Sequence, residues 1–256
     1  IEAIKAYKNI VNTFGTDADY AQYQMAMSFG FLKKNGDKIT QLENLLTNFE
    51  TSNFRDDALF QLGNTYSAQK DTKNAHRSYK ILLQDFPKSS YKTRALLRDG
   101  LLYYNENENQ KALKNYKEIV AKFPNSAEAR EAVTNAKNVY IDLGAVDEYA
   151  VWAKGISFVN ITDADLDNST YESAENKFLA NDIPKATEGF KKYIITFPEG
   201  LHVLQANFYL AQLLVKSNLH DKAIQNYQYV INQSQSEFSE ESLNKLSQIL
   251  LEKGNW

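Results

Sequence analysis

The 256-residue chain contains no cysteine and few residues of three other types: 4 prolines, 10 glycines and 3 histidines. The absence of cysteine excludes disulfide bonds, thiolate metal sites and cysteine nucleophiles, while it leaves the compartment open. No apolar run approaches the roughly 18 residues that a membrane-spanning helix needs. Lysine and arginine form no cluster longer than a pair, and the formal net charge is −3. We therefore expect neither a membrane span nor a nucleic-acid partner.

The residue patterns of catalytic and metal sites are also missing. His76, His202 and His220 are far apart in the chain, and no two of them have the i, i+4 spacing of a helical zinc site. Neither a Gly-x-Ser-x-Gly nucleophile elbow nor a glycine-rich phosphate loop occurs. The sequence therefore predicts no enzyme activity, no catalytic residue, no metal and no cofactor.

Three aspartates in the segment 163–167 partly match a calcium-binding loop, since they alternate at its first, third and fifth positions. The sixth position lacks glycine, and Ala174 occupies the twelfth, where a bidentate glutamate belongs. The alternative is a polar turn that leads into a helix, with Ser169 and Glu172 as its capping box. The failed ligand pattern favours the capped turn.

Proline is rare but periodic. Phe-Pro pairs end at Pro87, Pro124 and Pro198, so the first two lie 37 residues apart and the third lies two periods further on. Other positions repeat at multiples of 37, namely Ala75, Ala112, Ala186 and Ala223, and Tyr79, Tyr116, Phe190 and Tyr227. Such a period indicates a stack of similar supersecondary units, each of which buries its apolar face against its neighbours.

Each period carries the pattern of two helices. Apolar and small residues recur at helical spacing between Arg55 and Gln69, and a second periodic segment begins at Ala75. This second segment ends at Pro87, which cannot continue a helix. Small residues such as Gly63 allow the paired helices to approach closely, and the aromatic residue four positions after each periodic alanine fills the gap.

The pattern Leu62-Gly63, then Tyr66, Ala75, Tyr79 and Pro87 resembles the tetratricopeptide repeat, with 37 residues per unit instead of the usual 34. The resemblance implies an all-α, right-handed superhelical solenoid of antiparallel helix pairs that binds proteins and is not catalytic. The Phe-Pro-x-Ser form at 86–89 and 123–126 is similar to the bacterial cell-envelope branch of the family, which includes an outer-membrane barrel assembly lipoprotein and a periplasmic division coordinator. This similarity implies a periplasmic or envelope location, with the cytoplasm as the alternative.

Extending the register predicts a single solenoid over residues 1–256. It consists of an orphan helix, six helix pairs and a capping helix, with the bounds 1–14, then 19–49, 56–87, 93–124, 130–160, 168–198 and 204–234, then 237–252. Because the chain opens in the middle of a helix pattern, we interpret it as the C-terminal fragment of a longer protein. One unit is irregular: Tyr149 replaces the periodic alanine, Ala153 replaces the aromatic residue, and Trp152 is added. The swap predicts a compensating repacking, with a local change in the superhelix as the alternative.

The resemblance also implies a partner-binding groove, because the second, fifth, ninth, twelfth and thirteenth positions of each first helix line the groove in this family. The candidate residues are Tyr20, Tyr23, Met27, Phe60, Asn64, Leu101, Tyr104, Asn105, Asn138 and Tyr171. No lysine occupies a fifth position, so the family's clamp for a C-terminal carboxylate lacks its cation. Aromatic residues beside asparagine suit a protein or an extended peptide. For each aromatic residue, packing between neighbouring helices is the alternative.

Two other functions remain open at this stage. The array can serve as a structural spacer or oligomerisation arm, or as a regulatory appendage of a larger multidomain protein. The oligomeric state and the identity of the partner are not encoded in any motif that we find.

Overall fold

The computed structural model describes residues 2–13 and 15–254, which form fourteen α-helices and no strand. The helices are α1 (Glu2–Asn12), α2 (Ala18–Phe31), α3 (Asn35–Asn48), α4 (Arg55–Ala68), α5 (Thr72–Asp85), α6 (Lys92–Asn105), α7 (Asn109–Lys122), α8 (Ala127–Leu143), α9 (Val146–Lys154), α10 (Asp163–Leu179), α11 (Ile183–Thr196), α12 (Val203–Lys216), α13 (His220–Asn232) and α14 (Ser239–Glu252). Ile1 and Phe14, the ends of the predicted orphan helix, lie outside the described residues. None of the described helices has the length and hydropathy needed to cross a bilayer.

Helices joined by short turns pack against each other as pairs. The packed pairs include α2 with α3, α4 with α5, α6 with α7, α10 with α11, and α12 with α13. Neighbouring pairs are packed in turn through α3 and α4, α5 and α6, and α11 and α12. The predicted all-α fold of successive helix pairs is therefore confirmed.

The contacts divide the chain into two compact units, with the boundary between Ala136 and Lys137. In the first unit, buried residues of α2 to α6 form the core, with Leu42, Leu45 and Tyr79 among the fully enclosed side chains. In the second unit, the core is built by α10 to α14 around Phe190 and Tyr227. In both units the periodic alanine and the aromatic residue four positions later lie in this core.

The turn between the two helices of a pair keeps the same backbone conformation along the chain. One residue in it has a positive φ, between 56° and 74°, and these residues are spaced by 37: Lys33, Lys70, Asn107, Gly144, Asn181 and Asn218. In the turn after α4, the backbone N–H of Asp71 donates to the carbonyl of Tyr66 at 2.9 Å, which satisfies a carbonyl at the helix end. The 37-residue period of the side chains therefore also holds for the backbone conformation of these turns.

The irregular unit differs from the others in its second helix. α9 spans 9 residues, whereas the corresponding α5, α7 and α11 span 14. Tyr149 and Ala153 are both buried, and the ring of Trp152 lies 6.3 Å from those of Tyr140 and Tyr149. The large and the small residue thus exchange places within a packed core.

The start of α10 corrects the prediction for the aspartate segment. The helix begins at Asp163, so the three aspartates lie in its first turns and not in a loop. Its capping box joins Thr162 to Asp165, because the Thr162 hydroxyl accepts from the Asp165 backbone N–H at 3.1 Å and the Asp165 carboxylate accepts from the Thr162 backbone N–H at 3.0 Å. The predicted box at Ser169 and Glu172 is wrong, since Ser169 is already helical and donates to the Asp165 carbonyl at 2.6 Å.

Candidate functional site

The candidate site in the first unit lies on one face of the first helices α2, α4 and α6. On α2 this face carries Tyr20, Tyr23, Met27 and Phe31, whose spacing of three or four residues places them on one side of the helix. Residues 37 and 74 positions later continue it on α4 and α6. We call this surface the first-helix face. Tyr20 is 45% exposed and Phe31 is 86% exposed, whereas Tyr23 and Met27 are partly buried.

Aromatic pairs connect neighbouring helix pairs along this face. The ring of Tyr23 stacks on that of Phe54, with 5.6 Å between the ring centroids and 17° between the planes. Phe60 stacks on Tyr91 in the same way, at 4.7 Å and 24°. In each pair, the residue at the fifth position of one first helix meets the residue that immediately precedes the next first helix. The predicted partner-binding residues Tyr23 and Phe60 are thus engaged in packing between repeats, each against an aromatic residue outside the predicted set.

The second unit repeats this arrangement. Tyr171 stacks on the imidazole of His202, with 4.2 Å between the ring centroids, and Phe208 packs on Phe238 at 4.9 Å. Tyr23, Phe60 and Tyr171 each lie 31 residues before their partner. In the two registers between Phe60 and Tyr171, the aromatic pair is replaced by Leu97 with Glu128 and by Thr134 with Asp165. The inter-repeat aromatic pair is therefore a recurrent packing element and not a feature of one site.

Acidic groups lie beside the aromatic pairs in the first unit. The Tyr91 hydroxyl donates to a carboxylate oxygen of Asp57 at 2.5 Å, and the Arg94 guanidinium lies 4.6 Å from the centroid of the Tyr91 ring. Burial, together with the negative charges of Asp57 and Asp56, raises the pKa of Tyr23 to about 12. Burial also raises the pKa of the Asp57 carboxyl, against the hydrogen bond from Tyr91, which lowers it. The Tyr23 phenol is therefore neutral and can act as a hydrogen-bond donor at physiological pH.

The ten candidate residues differ in their exposure. Tyr20, Asn105 and Asn138 are exposed, and a second group is partly buried: Tyr23, Met27, Asn64, Leu101 and Tyr104. Phe60 and Tyr171 are buried, at 7% and 5% exposure. Asn64 accepts a hydrogen bond from the Tyr79 hydroxyl at 2.8 Å, so its side-chain oxygen already has an internal partner. Tyr20 and Tyr23 lie together against Phe54, at 5.6 Å each.

Sequence reasoning missed Phe31 and Phe54. Phe31, the last residue of α2, lies at the thirteenth position of its repeat and follows from the 37-residue register when that register is applied to the first repeat. Phe54 precedes α4, outside the positions that the repeat family uses for binding. The regular spacing of 31 residues between aromatic residues is the signal that predicts such a contact. Among the described residues, no group of three or more His, Asp or Glu side chains is arranged to hold a metal ion.

The helix pairs of the first unit agree with a comparison of the sequence with known protein families. Residues 57–89 and 94–126 match the family model of the tetratricopeptide repeat. They correspond to the helix pairs α4–α5 and α6–α7. Repeats of this kind generally mediate protein–protein interaction. No curated protein matches the chain.

Two solved structures share the fold. One is a tetratricopeptide repeat protein from Parabacteroides merdae, with 16% sequence identity, a TM-score of 0.50, and coverage of 93% of this chain and 87% of that chain. The other is a chain in the structure of Naa15/Naa10 bound to HypK-THB, with 16% identity and a TM-score of 0.58. It matches 96% of this chain, which spans only 36% of that larger chain. At these identities the likeness shows a tetratricopeptide-like fold.

Proposed function

We propose that the chain is a non-catalytic scaffold that binds a partner protein, or an extended segment of one, on the first-helix face of α2, α4 and α6. The observation that supports this most directly is the exposure of two large aromatic side chains, Tyr20 at 45% and Phe31 at 86%, on the same side of α2. Tyr20 packs against Phe54 of the Tyr23–Phe54 stack, and Phe31 lies further along the same face, at the end of α2. Neighbouring apolar groups that remain in water are typical of interaction surfaces, because covering them releases free energy.

The chemistry of this surface suits an internal segment of the partner with apolar or aromatic side chains. Tyr20, Phe31 and the Tyr23–Phe54 stack offer area to such side chains, while the exposed Asn105 amide can bond to peptide backbone. Asp57 adds a carboxylate that favours a basic residue in the partner. Because the face lacks the lysine of a carboxylate clamp, a free C-terminus is not the group that we expect it to bind.

For the compartment, we propose the periplasm or cell envelope of a bacterium. The support for this part is the Phe-Pro-x-Ser turn, which occurs at 86–89 and again at 123–126 and is similar to that of envelope members of the family. Fractionation of the native organism with an antibody against the protein tests the location. Recovery of the protein in the cytoplasmic fraction would contradict this part of the proposal and leave the binding face untouched.

The decisive experiment compares two double variants in partner capture. Tyr20→Ser with Phe31→Ser removes exposed aromatic area from the first-helix face. Val151→Ser with Ile195→Ser removes comparably exposed apolar side chains, at 77% and 80%, from the second helices α9 and α11. We expect the first variant to lose at least about tenfold in affinity, which corresponds to roughly 1.4 kcal/mol. The second variant should bind like the parent.

Capture is measured by photo-crosslinking from position 20 in the native organism, followed by titration of the identified partner. Circular dichroism melting curves establish that both variants remain folded. Equal binding by all three proteins would place the partner on another surface. If sedimentation shows that the parent self-associates and that only the Tyr20/Phe31 variant becomes monomeric, the face is an oligomerisation surface and the proposed hetero-partner is wrong.

A further inference from the structure

A second groove in the first unit lies on the other side of α6, between the second helices α5 and α7. Its floor is formed by Leu96, Asp99 and Tyr103, and its volume is about 580 Å³. Leu97 and Leu101 belong to the first-helix face and lie two residues from floor residues. A step of two residues turns a helix by about 200°, so the groove and the first-helix face lie on opposite sides of α6.

The walls of this groove carry five cations and one carboxylate, that of Glu118, which pairs with Lys122 at 2.8 Å. Arg77 and Lys80 extend from α5, Lys111 and Lys114 from α7, and Lys92 from the start of α6. Within the described part of the chain, Arg77, Lys80 and Lys114 form no salt bridge, and all three are exposed. The segment 71–122 carries eleven Lys and Arg against six Asp and Glu, a net charge of +5, in a chain whose net charge is −3.

The one carboxylate in the floor is bound internally. Asp99 is only 7% exposed, and its two oxygens lie 2.5 Å from His76 Nδ1 and 2.8 Å from the Asn115 amide nitrogen, which donates to it. The other ring nitrogen of His76 lies 3.0 Å from a carboxylate oxygen of Glu106. Both Asp99 oxygens thus face protein partners and not the groove. The exposed cations therefore dominate the charge that a ligand meets.

The preceding groove of the same type provides an internal comparison. It lies between α3 and α5 over α4, and its residues correspond to those of the charged groove at a distance of 37. It has Glu43 where the charged groove has Lys80, and Asn74 where that groove has Lys111. Its floor has the apolar Leu62 at the position of Asp99. At the position of Lys114 it also carries a cation, Arg77. Packing of the repeat therefore does not require cations at the positions of Lys80 and Lys111, and a ligand-binding role accounts for these two.

We propose that the groove between α5 and α7 binds an acidic segment of a partner protein, separately from the first-helix face. Carboxylates of that segment would pair with Arg77, Lys80 and Lys114, and its apolar side chains would lie on Leu83 and Leu96 between them. The floor argues against nucleic acid, because the Tyr103 ring is covered by the His76 imidazole at 4.1 Å and is not free to stack on a base.

The test measures fluorescence anisotropy of a labelled twelve-residue peptide of alternating Glu and Leu. Three further probes are measured in the same way. They are the same peptide with Lys in place of Glu, an acidic peptide of the same length without leucine, and oligo-dT. We expect the Glu/Leu peptide to bind more tightly than the other three, and salt to weaken that binding. The charge reversal Lys80→Glu with Lys114→Glu should weaken it by about tenfold or more.

The matched control is Lys222→Glu with Lys245→Glu, which reverses two exposed lysines of α13 and α14 and changes the net charge equally. This control should bind the Glu/Leu peptide within about twofold of the parent. Neutral variants Lys80→Gln and Lys114→Gln provide a folded alternative if the reversal lowers the melting temperature. The variant Tyr20→Ser with Phe31→Ser should bind the acidic peptide normally, which separates this proposal from the first-helix face.

Three results would overturn the proposal. One is the absence of binding by the Glu/Leu peptide to the parent protein. Another is an equal loss in the groove reversal and the α13/α14 reversal, which would indicate a general charge effect. The third is tighter binding of oligo-dT than of the peptide, which would assign the groove to nucleic acid instead.

Discussion

The second-helix tyrosines Tyr79 and Tyr116 occupy equivalent positions but differ in how their hydroxyl groups are satisfied. The Tyr79 hydroxyl donates to the Asn64 amide oxygen at 2.8 Å. One period later, Leu101 occupies the position of Asn64, and the buried Tyr116 hydroxyl has no hydrogen-bond partner among the described residues. Leaving a buried hydroxyl unsatisfied costs about 1–3 kcal/mol, while a satisfied one contributes about 1 kcal/mol. The tyrosine hydroxyl at this repeat position therefore stabilises the fold in one repeat and destabilises it in the next.

This difference predicts opposite effects of the same substitution. Tyr116→Phe should raise the free energy of unfolding by about 1 kcal/mol, because it removes the unsatisfied hydroxyl. Tyr79→Phe should lower it by about 1 kcal/mol, because Asn64 loses its donor. Urea denaturation followed by circular dichroism measures both. Leu101→Asn, which supplies the missing acceptor, should remove the gain from Tyr116→Phe, and a destabilising Tyr116→Phe would contradict this account.

Position 63 requires glycine because the Tyr79 ring lies very close to the backbone there. A Cβ atom at position 63 would lie 2.4 Å from Tyr79 Cε1, inside the fully buried ring's contact distance. Gly63→Ala should therefore lower the free energy of unfolding by about 1–2 kcal/mol, since overpacking exceeds the roughly 1 kcal/mol gained in helix propensity. Gly36→Ala is the matched control, because a Cβ there meets nothing within 4 Å and α3 should be stabilised slightly. Thermal melts of both variants test the sign.

The candidate residues show what register alone can predict about a site. The period identified the face of α2 that carries Tyr20 and Tyr23, because helical spacing fixes the direction of a side chain from the axis. It left two roles open for Phe60, partner binding and packing between neighbouring helices, and the structure buries it. Burial of Phe60 depends on Tyr91, which lies in the connection to the next repeat and stacks on the Phe60 ring. Such a contact is made only when neighbouring repeats assemble.

At the scale of single helices, the beginning of α10 depends on one capping box. Thr162 and Asp165 satisfy backbone donors at the start of the helix, and this brings Asp163 and its neighbours into the first turn. The sequence also offers Ser169 and Glu172 as a capping box, so local patterns alone left two possible starts. Packing resolves the choice, because Asp167 is buried and accepts hydrogen bonds from the Tyr193 hydroxyl and the Leu201 backbone N–H.

Removing the cap should destabilise the second unit in a pH-dependent way. Thr162→Ala should lower the free energy of unfolding by about 1 kcal/mol, whereas Thr162→Ser should retain most of it. The hydrogen bonds from the Thr162 side chain and backbone lower the pKa of the Asp165 carboxyl below its ordinary value of 3.8. The contribution of Asp165 is therefore complete above pH 3.8 and is lost as the pH falls through the lowered pKa.

The measurement is the difference in unfolding free energy between the parent and Asp165→Asn as a function of pH. It should be constant from pH 7 to about 5, and it should shrink below pH 4 as the parent carboxylate is protonated. A difference that grows towards acid pH would mean that the folded state favours the protonated carboxyl, which is opposite to the hydrogen bonding seen at Thr162.

In the molecule as a whole, the repeat architecture limits how far a local change can spread. Within each compact unit, helix pairs pack on neighbouring pairs, so stability is approximately a sum of local terms. Gly63→Ala should therefore reduce amide hydrogen-exchange protection in α4 and α5, with a smaller effect in α3 and α6. Protection in α12 and α13 should be unchanged. Equal loss in all helices would show that the chain unfolds as one cooperative block.

The charge distribution is also a property of the whole molecule. Segment 71–122 has a net charge of +5, although the chain has −3, and helix pairing brings five of its eleven cations together along the groove between α5 and α7. Counting charges in sequence showed only that no long basic cluster exists. The groove appears only when helices that are separated by a full period become neighbours. The single continuous solenoid over residues 1–256 stays a prediction.

The sequence by itself determined the helix pairs and their period, because Phe-Pro, the periodic alanine and the aromatic residue of the second helix are local signals that act within one unit. It also determined that the fold resembles the tetratricopeptide repeat. Only the tertiary structure decided which aromatic residues are exposed, where α10 begins, and that the cations of α5 and α7 share a groove. These properties depend on contacts between units, and burial and charge proximity arise only when separate segments of the chain pack together.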